Sequence, residues 1–253
     1  MGPLKTKLSM RHEAIGTMLS ELQTPNIARM LAASGFDFMI VDCEHGPFAY
    51  EAVSNLIAAA RGGGISVLVR IPGVMRECIL KYMDMGADGL VVPMVSGADT
   101  IAQAVSYAKY APAGSRGVST QRAHAGYSVD DLRVYMEAAN AETVVFAQIE
   151  TVEGLANAED IAGTDGVDGL LLGPNDLLQE LGVPGCYNDP RLAAAVGRVA
   201  EAAAAAGRCS GVITARADLI RLGREAGMRV ISWNSEVGML MQAAREGVAR
   251  LRG

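Results

Sequence analysis

A chain of 253 residues, half of them hydrophobic, carries enough apolar material for one large core or two small ones. Its formal net charge of -6 and pI near 5.2 argue against a surface built to hold a polyanion, so a nucleic-acid partner is not expected. No stretch approaches the roughly 18 apolar residues of a membrane span, and the polar, basic segment from Met1 to His12 resembles neither a secretory signal nor an anchor, so no membrane and a cytoplasmic location are expected.

Strand and helix signals alternate along the chain. Residues 15–18 make a brief strand, and 25–33 a helix opened by Thr24 and Pro25 and closed by Gly35. Residues 36–41 read as a clear buried strand. Cys43 follows it, and with Cys78, Cys186 and Cys209 it lacks C-x-x-C spacing, so all four read as small apolar residues rather than zinc ligands or a disulfide framework. The helix over 49–61 runs into Gly62-Gly63-Gly64, a glycine run placed to end a helix rather than to cradle a phosphate. Strand 67–71, helix 75–85, strand 89–93 and helix 98–110 come next.

Residues 111–128 form a long connection with Pro112, Gly114 and Gly117, in which a short strand is expected at 117–119; long loops of this kind are often lids. Then follow helix 129–140, strand 144–149, helix 153–161, strand 169–172 and a short helix ending at Gly182. After an insertion containing Pro184, Gly185 and Pro190, an alanine-rich helix spans 192–206. Strand 209–213, helix 217–226, strand 229–233 and helix 235–245 complete the chain. No internal repeat stands out. Eight strand-then-helix units predict an α/β fold, a (β/α)8 TIM barrel occupying residues 1–253 as one domain. A doubly wound open sheet is the alternative, weakened because no G-x-G-x-x-G follows the first strand.

In a barrel the residues just past each strand share one mouth. Glu150 and Asp176 each arrive where an apolar run stops. Two carboxylates from neighbouring strands can share a hard divalent cation, although the plainer reading makes them caps of the following helices. Asp42-Cys43-Glu44-His45-Gly46-Pro47 lies past the second strand; the third ends in Arg70, and the fifth supplies Gln148. An imidazole, a guanidinium, an amide and carboxylates are what chemistry on a 2-oxo acid requires. A Lewis-acidic cation on the carboxylate and keto oxygens acidifies the adjacent C–H, Arg70 holds the charge developing on the enolate oxygen, and His45 shuttles the proton. Taken singly, each has a structural role open to it: a satisfied histidine, an ion-paired Arg70, a capping Asp42, a solvated Asp84 within a helix, a simple turn at Gly173-Pro174.

Four motifs in order, Phe38-Met39-Ile40-Val41-Asp42-Cys43-Glu44-His45-Gly46-Pro47, Val69-Arg70-Ile71-Pro72, Gln148-Ile149-Glu150-Thr151 and Gly173-Pro174-Asn175-Asp176-Leu177, resemble those of the HpcH/HpaI aldolase/citrate lyase family, and the similarity runs over nearly the whole chain. The resemblance implies a TIM barrel and a divalent-metal-dependent (class II) aldolase using Mg²⁺, Mn²⁺ or Co²⁺. Such an enzyme cleaves 4-hydroxy-2-oxo acids to pyruvate, or a close 2-oxo acid, and an aldehyde through an enolate. It also implies a homo-oligomer, a hexamer or trimer of dimers with exchanged C-terminal helices. Carried over by motif, Glu150 and Asp176 match the metal ligands, Arg70 the enolate-stabilising arginine and Gln148 the substrate-contacting amide. His45 matches the base, acting through water, with Asp42 and Asp84 orienting or polarising it. Backbone N–H groups around Gly173, Asn175 and Asp176 would receive the substrate carboxylate.

Two stretches depart from the pattern. The loop Ser119-Thr120-Gln121-Arg122-Ala123-His124-Ala125-Gly126-Tyr127 is expected to shape the acceptor-aldehyde pocket. Trp233, in Ile231-Ser232-Trp233-Asn234-Ser235, either narrows the mouth or belongs to the core. The alternatives on the same machinery are oxaloacetate decarboxylation and a citrate-synthase-like condensation of oxaloacetate with an acyl thioester in siderophore synthesis. A non-catalytic ligand-binding barrel is the third class.

Overall fold

A computed structural model describes residues 2–253. Eight strands, β1 (Ala14–Leu19), β2 (Phe38–Asp42), β3 (Ser66–Arg70), β4 (Gly89–Val92), β5 (Val144–Ile149), β6 (Gly169–Leu172), β7 (Cys209–Thr214) and β8 (Val230–Ser235), pair in chain order and all in parallel. β8 returns to β1, so the sheet closes into a barrel. The helices are α1 (Pro3–Ser9), α2 (Asn26–Ala33), α3 (Tyr50–Gly63), α4 (Arg76–Met85), α5 (Ala98–Ala108), α6 (Leu132–Glu142), α7 (Val152–Ala156), α8 (Ala158–Gly163), α9 (Pro174–Glu180), α10 (Pro190–Ala205), α11 (Ala217–Glu225) and α12 (Glu236–Arg252). The expected eight-fold alternation is what forms. Among the described residues no helix is long and apolar enough to cross a membrane.

Local differences from the sequence expectations have physical causes. The helix expected over 153–161 is two short ones that meet at Asn157, and the last helix continues to Arg252 rather than ending at 245. No strand forms at 117–119; that segment is irregular and leads to a single 3-10 turn at Ala123–Ala125. The glycine run after α3 does end it, with Gly64 at φ +75°, in the left-handed region that a glycine enters without strain.

Side chains alternate across each stave, one set facing the axis and the next facing the helices. The inward set includes Ala14, Met18, Phe38, Ile40, Leu68, Val91, Phe146, Leu171 and Val230, which form one buried cluster. The outward set, including Met39, Val41, Val69, Leu90, Ala147 and Leu170, forms a second, larger cluster with the helices. The two phenylalanines fill the axis because glycines face them. A Cβ on Gly16 would fall 2.3 Å from the Phe38 ring. Burial of each such side chain contributes about 1.5–3 kcal/mol.

α1 closes the end of the barrel where the strands begin. Its Leu4 and Leu8 join the inward cluster, while Lys5 pairs with Asp168 and Lys7 with Asp37 at 2.6 Å. The same floor holds a repeat that sequence inspection passes over. Gly35-Phe36-Asp37, Gly86-Ala87-Asp88 and Gly166-Val167-Asp168 each precede an even-numbered strand, with every glycine at positive φ. Each aspartate accepts the backbone N–H of a residue near the start of the preceding odd strand: Ile15 at 2.9 Å, Val67 at 2.7 Å and Val145 at 2.8 Å. The fourth copy, Gly227-Met228-Arg229, keeps the glycine geometry but has arginine in place of aspartate.

Candidate active site

The inward series on three staves turns from apolar to polar at the end where the strands stop. β2 runs Phe38, Ile40, Asp42; β3 runs Leu68, Arg70; β5 runs Val144, Phe146, Gln148 and continues to Glu150. Asp42 and Arg70 stand opposite each other in register. The Arg70 guanidinium donates to both oxygens of Asp42, Nε to Oδ1 at 2.9 Å and Nη2 to Oδ2 at 2.7 Å, a bidentate pair that is almost fully buried. Asp42 Oδ1 also accepts the backbone N–H groups of Glu44 and His45, at 3.1 and 3.2 Å. Burial alone would raise the Asp42 carboxyl, but the guanidinium and these two N–H groups outweigh it and hold it below the usual range.

Glu150 is 2% exposed and is not a helix cap. Thr151 caps α7 instead, its hydroxyl accepting from Gly154 N. The Glu150 carboxylate accepts the Met94 backbone N–H at 2.8 Å and the Gln148 side-chain amide. Met94 reaches that position at φ +52°, an uncommon conformation for a non-glycine residue. Burial pushes the Glu150 carboxyl up from 4.5 to about 7; the two hydrogen bonds oppose the shift, and the charges of Asp176 and Glu44 add to it. Gln148 Oε1 is buried with no hydrogen-bond partner among the described residues. Gly173 passes so close that a Cβ there would lie 2.5 Å from Glu150 Oε2 and 3.0 Å from Gln148 Nε2. Asp176 lies in the first turn of α9, and the neighbouring Asn175 accepts the Tyr187 hydroxyl at 2.6 Å.

His45 projects from the turn after β2, with its side chain 69% exposed. The structure thus gathers Asp42, His45, Arg70, Gln148, Glu150, Gly173, Asn175 and Asp176 at the carboxyl end of the staves. Within the chain it does not bring Asp84 there. Asp84 is near the end of α4, at the floor, where it accepts from Arg116 Nη2 at 2.7 Å and faces the His124 ring at 3.5 Å. α4 runs antiparallel to β3, so a residue late in the helix returns to the end where the strands begin. The loop of residues 119–127 is at the floor for the same reason: Ala123 O accepts from Arg61 at 2.6 Å, and His124 bonds Tyr135 and Ser119 O. The expectation that this loop shapes the pocket at the mouth is corrected within one chain. Trp233 neither narrows the mouth nor is core. It faces outward from β8, stacks on Phe36 with ring centroids 6.4 Å apart, and is 36% exposed. Two contributors escaped the sequence reading. Met94 acts through its backbone, which no side-chain pattern reports; Glu44 was visible beside His45 but had no strand-end position of its own.

Among the described residues no cluster of three or more His, Cys, Asp or Glu is arranged to enclose an ion. The donor set offers at most two carboxylates, Glu150 and Asp176. That count suits a hard cation that keeps several small-molecule or water ligands, not a closed structural site.

A model of the HpcH/HpaI aldolase/citrate lyase family matches residues 17–243. The chain belongs to the HpcH/HpaI aldolase/citrate lyase family. It is a carbon–carbon lyase by that membership. A hydroxypyruvate/pyruvate aldolase of Cupriavidus necator is 32% identical over 99% of this chain and 92% of the relative. Of solved structures, an HpcH/HpaI aldolase from Desulfitobacterium hafniense DCB-2 superposes with a TM-score of 0.95 at 33% identity, covering 100% of this chain and 97% of that one. The citrate synthase SbnG superposes with a TM-score of 0.88 at 30% identity over 99% and 97%.

Proposed function

We propose that this enzyme is a divalent-metal-dependent aldolase that reversibly cleaves 4-hydroxy-2-oxo acids to pyruvate, or a close 2-oxo acid, and an aldehyde. The observation that carries the reading is the convergence of the Asp42–Arg70 pair with Gln148, Glu150 and Asp176 on one mouth, beside an accessible imidazole. Glu150 and Asp176 would hold Mg²⁺, Mn²⁺ or Co²⁺, which when bound supplies Lewis acidity toward the keto oxygen. Arg70, kept in place by Asp42, faces the charge that develops on the enolate oxygen. The Gln148 amide and the backbone around Gly173, Asn175 and Asp176 orient the acid. In condensation His45 takes the proton, through water, from the methyl carbon and delivers it to the aldehyde oxygen as the C–C bond forms; cleavage runs the same transfers in reverse. A homo-oligomer, a hexamer or trimer of dimers with exchanged C-terminal helices, fits the exposed apolar residues of α12 and the uncovered Trp233.

The similarity to SbnG supports a second reading, a citrate-synthase-like condensation of oxaloacetate with an acyl thioester, on the same residues. Purified protein with pyruvate, a short aldehyde and Mg²⁺ should form a 4-hydroxy-2-oxo acid, and excess chelator should abolish this. Undiminished turnover in chelator would overturn the metal role. With oxaloacetate and acetyl-CoA supplied instead, citrate formation by a protein that gives no aldol product from pyruvate and aldehyde would favour the second reading.

A further inference from the structure

Glu44 stands between two groups that the proposed chemistry uses. Its Oε2 lies 3.3 Å from Arg70 Nε and 3.9 Å from His45 Nε2, and its own side chain is mostly buried. Neither carboxylate that the family resemblance pairs with His45 meets the ring within this chain. Asp42 spends its oxygens on the Arg70 guanidinium and on backbone N–H groups, and Asp84 is at the opposite end of the barrel. Among the described residues, Glu44 supplies the one carboxylate placed against the imidazole.

The charges make the placement consequential. Asp42 already neutralises Arg70 through a bidentate pair. A second carboxylate on the same guanidinium leaves one negative charge over. Asp176 and Asp42 add to the repulsion on Glu44, whose carboxyl is raised chiefly by burial and lowered by Arg70 and His45. That surplus charge is satisfied when His45 becomes an imidazolium. An imidazole left unheld on an exposed turn would also sample several rotamers, and a hydrogen bond to one ring nitrogen fixes both the orientation and the tautomer. At 3.9 Å the pair is loose, as catalytic contacts commonly are before substrate binds.

We propose that Glu44 is a positioning residue that ties the His45 imidazole to the Arg70 guanidinium, so that base and enolate clamp address the same carbon of the 2-oxo acid. This rests on the aldolase reading. In the step concerned, a C–H bond of the pyruvate methyl group breaks and its electron pair passes into the enolate. The proton goes to His45 by way of water, and the imidazolium so formed faces the Glu44 carboxylate.

The test is deuterium exchange into the pyruvate methyl group, followed by NMR in D₂O with Mg²⁺, alongside aldol turnover, for wild type, Glu44→Gln and Glu44→Asp. Glu44→Gln keeps the size of the side chain and removes its charge. Its exchange rate and kcat should fall together by about ten- to a hundredfold, with pyruvate KM and Mg²⁺ affinity close to wild type, and Glu44→Asp should recover part of the loss. Wild-type exchange in Glu44→Gln would overturn the inference, as would a loss confined to KM or to Mg²⁺ affinity. If wild type itself neither exchanges nor turns over, the aldolase reading falls and this inference with it. Exchange in wild type beside an unaffected variant removes this inference alone.

Discussion

Glu150 shows most directly how burial sets the behaviour of one side chain. Its carboxyl is raised from 4.5 to about 7, first by burial, so in the metal-free fold the ionised form is the costly one. The penalty is absent below about pH 4.5, grows as pH rises toward 7 and is constant above it, reaching about 3 kcal/mol. Glu150→Gln removes the ionisation. The partnerless Gln148 Oε1 lets that amide flip to receive the new NH₂ group, exchanging one orphan for another. In chelator, therefore, the variant should unfold at a higher temperature than wild type at pH 8, with the gap closing toward pH 4.5. Mg²⁺ should stabilise wild type and leave the variant unmoved. A calorimetric scan in which the variant melts lower at pH 8 would refute this account of Glu150. Residues of this kind were legible in the sequence because each arrives where an apolar run stops, as Glu150 does after Val144-Val145-Phe146-Ala147-Gln148-Ile149 and Asp176 after Gly169-Leu170-Leu171-Leu172. Met94 was not, because the chemistry lies in a strained backbone N–H and the side chain gives no sign of it.

Between elements, one carboxylate reinforces the seam that closes the barrel. Glu236 opens α12 and is buried, yet among the described residues no cationic side chain is paired with it. It accepts the backbone N–H groups of Ser20, Glu21 and Leu22 at 2.9, 2.6 and 2.9 Å, and so binds the end of β8 to the turn after β1. Glu236→Ala would leave those donors without an acceptor at a cost of about 3 kcal/mol, read as a lower midpoint in urea; an unchanged midpoint would show that water replaces the carboxylate freely. Strands and long helices were legible because their apolar periods run over many residues. α1 was not: it has seven residues, with two apolar side chains four apart among lysines, too short for a period to declare itself. The strand expected at 117–119 failed because no stave edge is free to pair with it in a closed sheet.

At the scale of the whole molecule, α12 is the element out of place. Only Glu236 of its 17 residues is buried, while Leu240, Met241, Val248 and Leu251 face solvent. Apolar residues at this spacing on a terminal helix call for a second surface. Protein lacking residues 239–253 is expected to sediment as a smaller species than the intact chain, which itself should run as a multiple of 26.4 kDa. A monomeric intact chain at micromolar concentration would contradict this. What the sequence could not disclose is the end of the barrel at which a loop or late helical residue emerges. Asp84 and residues 119–127 have motif neighbours at the mouth but are carried to the floor by helices running back along the staves.

The glycine–x–aspartate clasps divide that floor into units of two staves, each stapled within itself: β1 with β2, β3 with β4, β5 with β6. The boundary between the second and third units falls in the long connection after α5. A break in the chain near residue 120 therefore separates two half-barrels without cutting any staple. Fragments 1–120 and 121–253, produced together, are expected to reassemble into an active complex, whereas a break near residue 27, inside the first unit, is not. The fourth unit, with Arg229 where the others have aspartate, would then be the first pair of staves to open, and its amides the first to exchange.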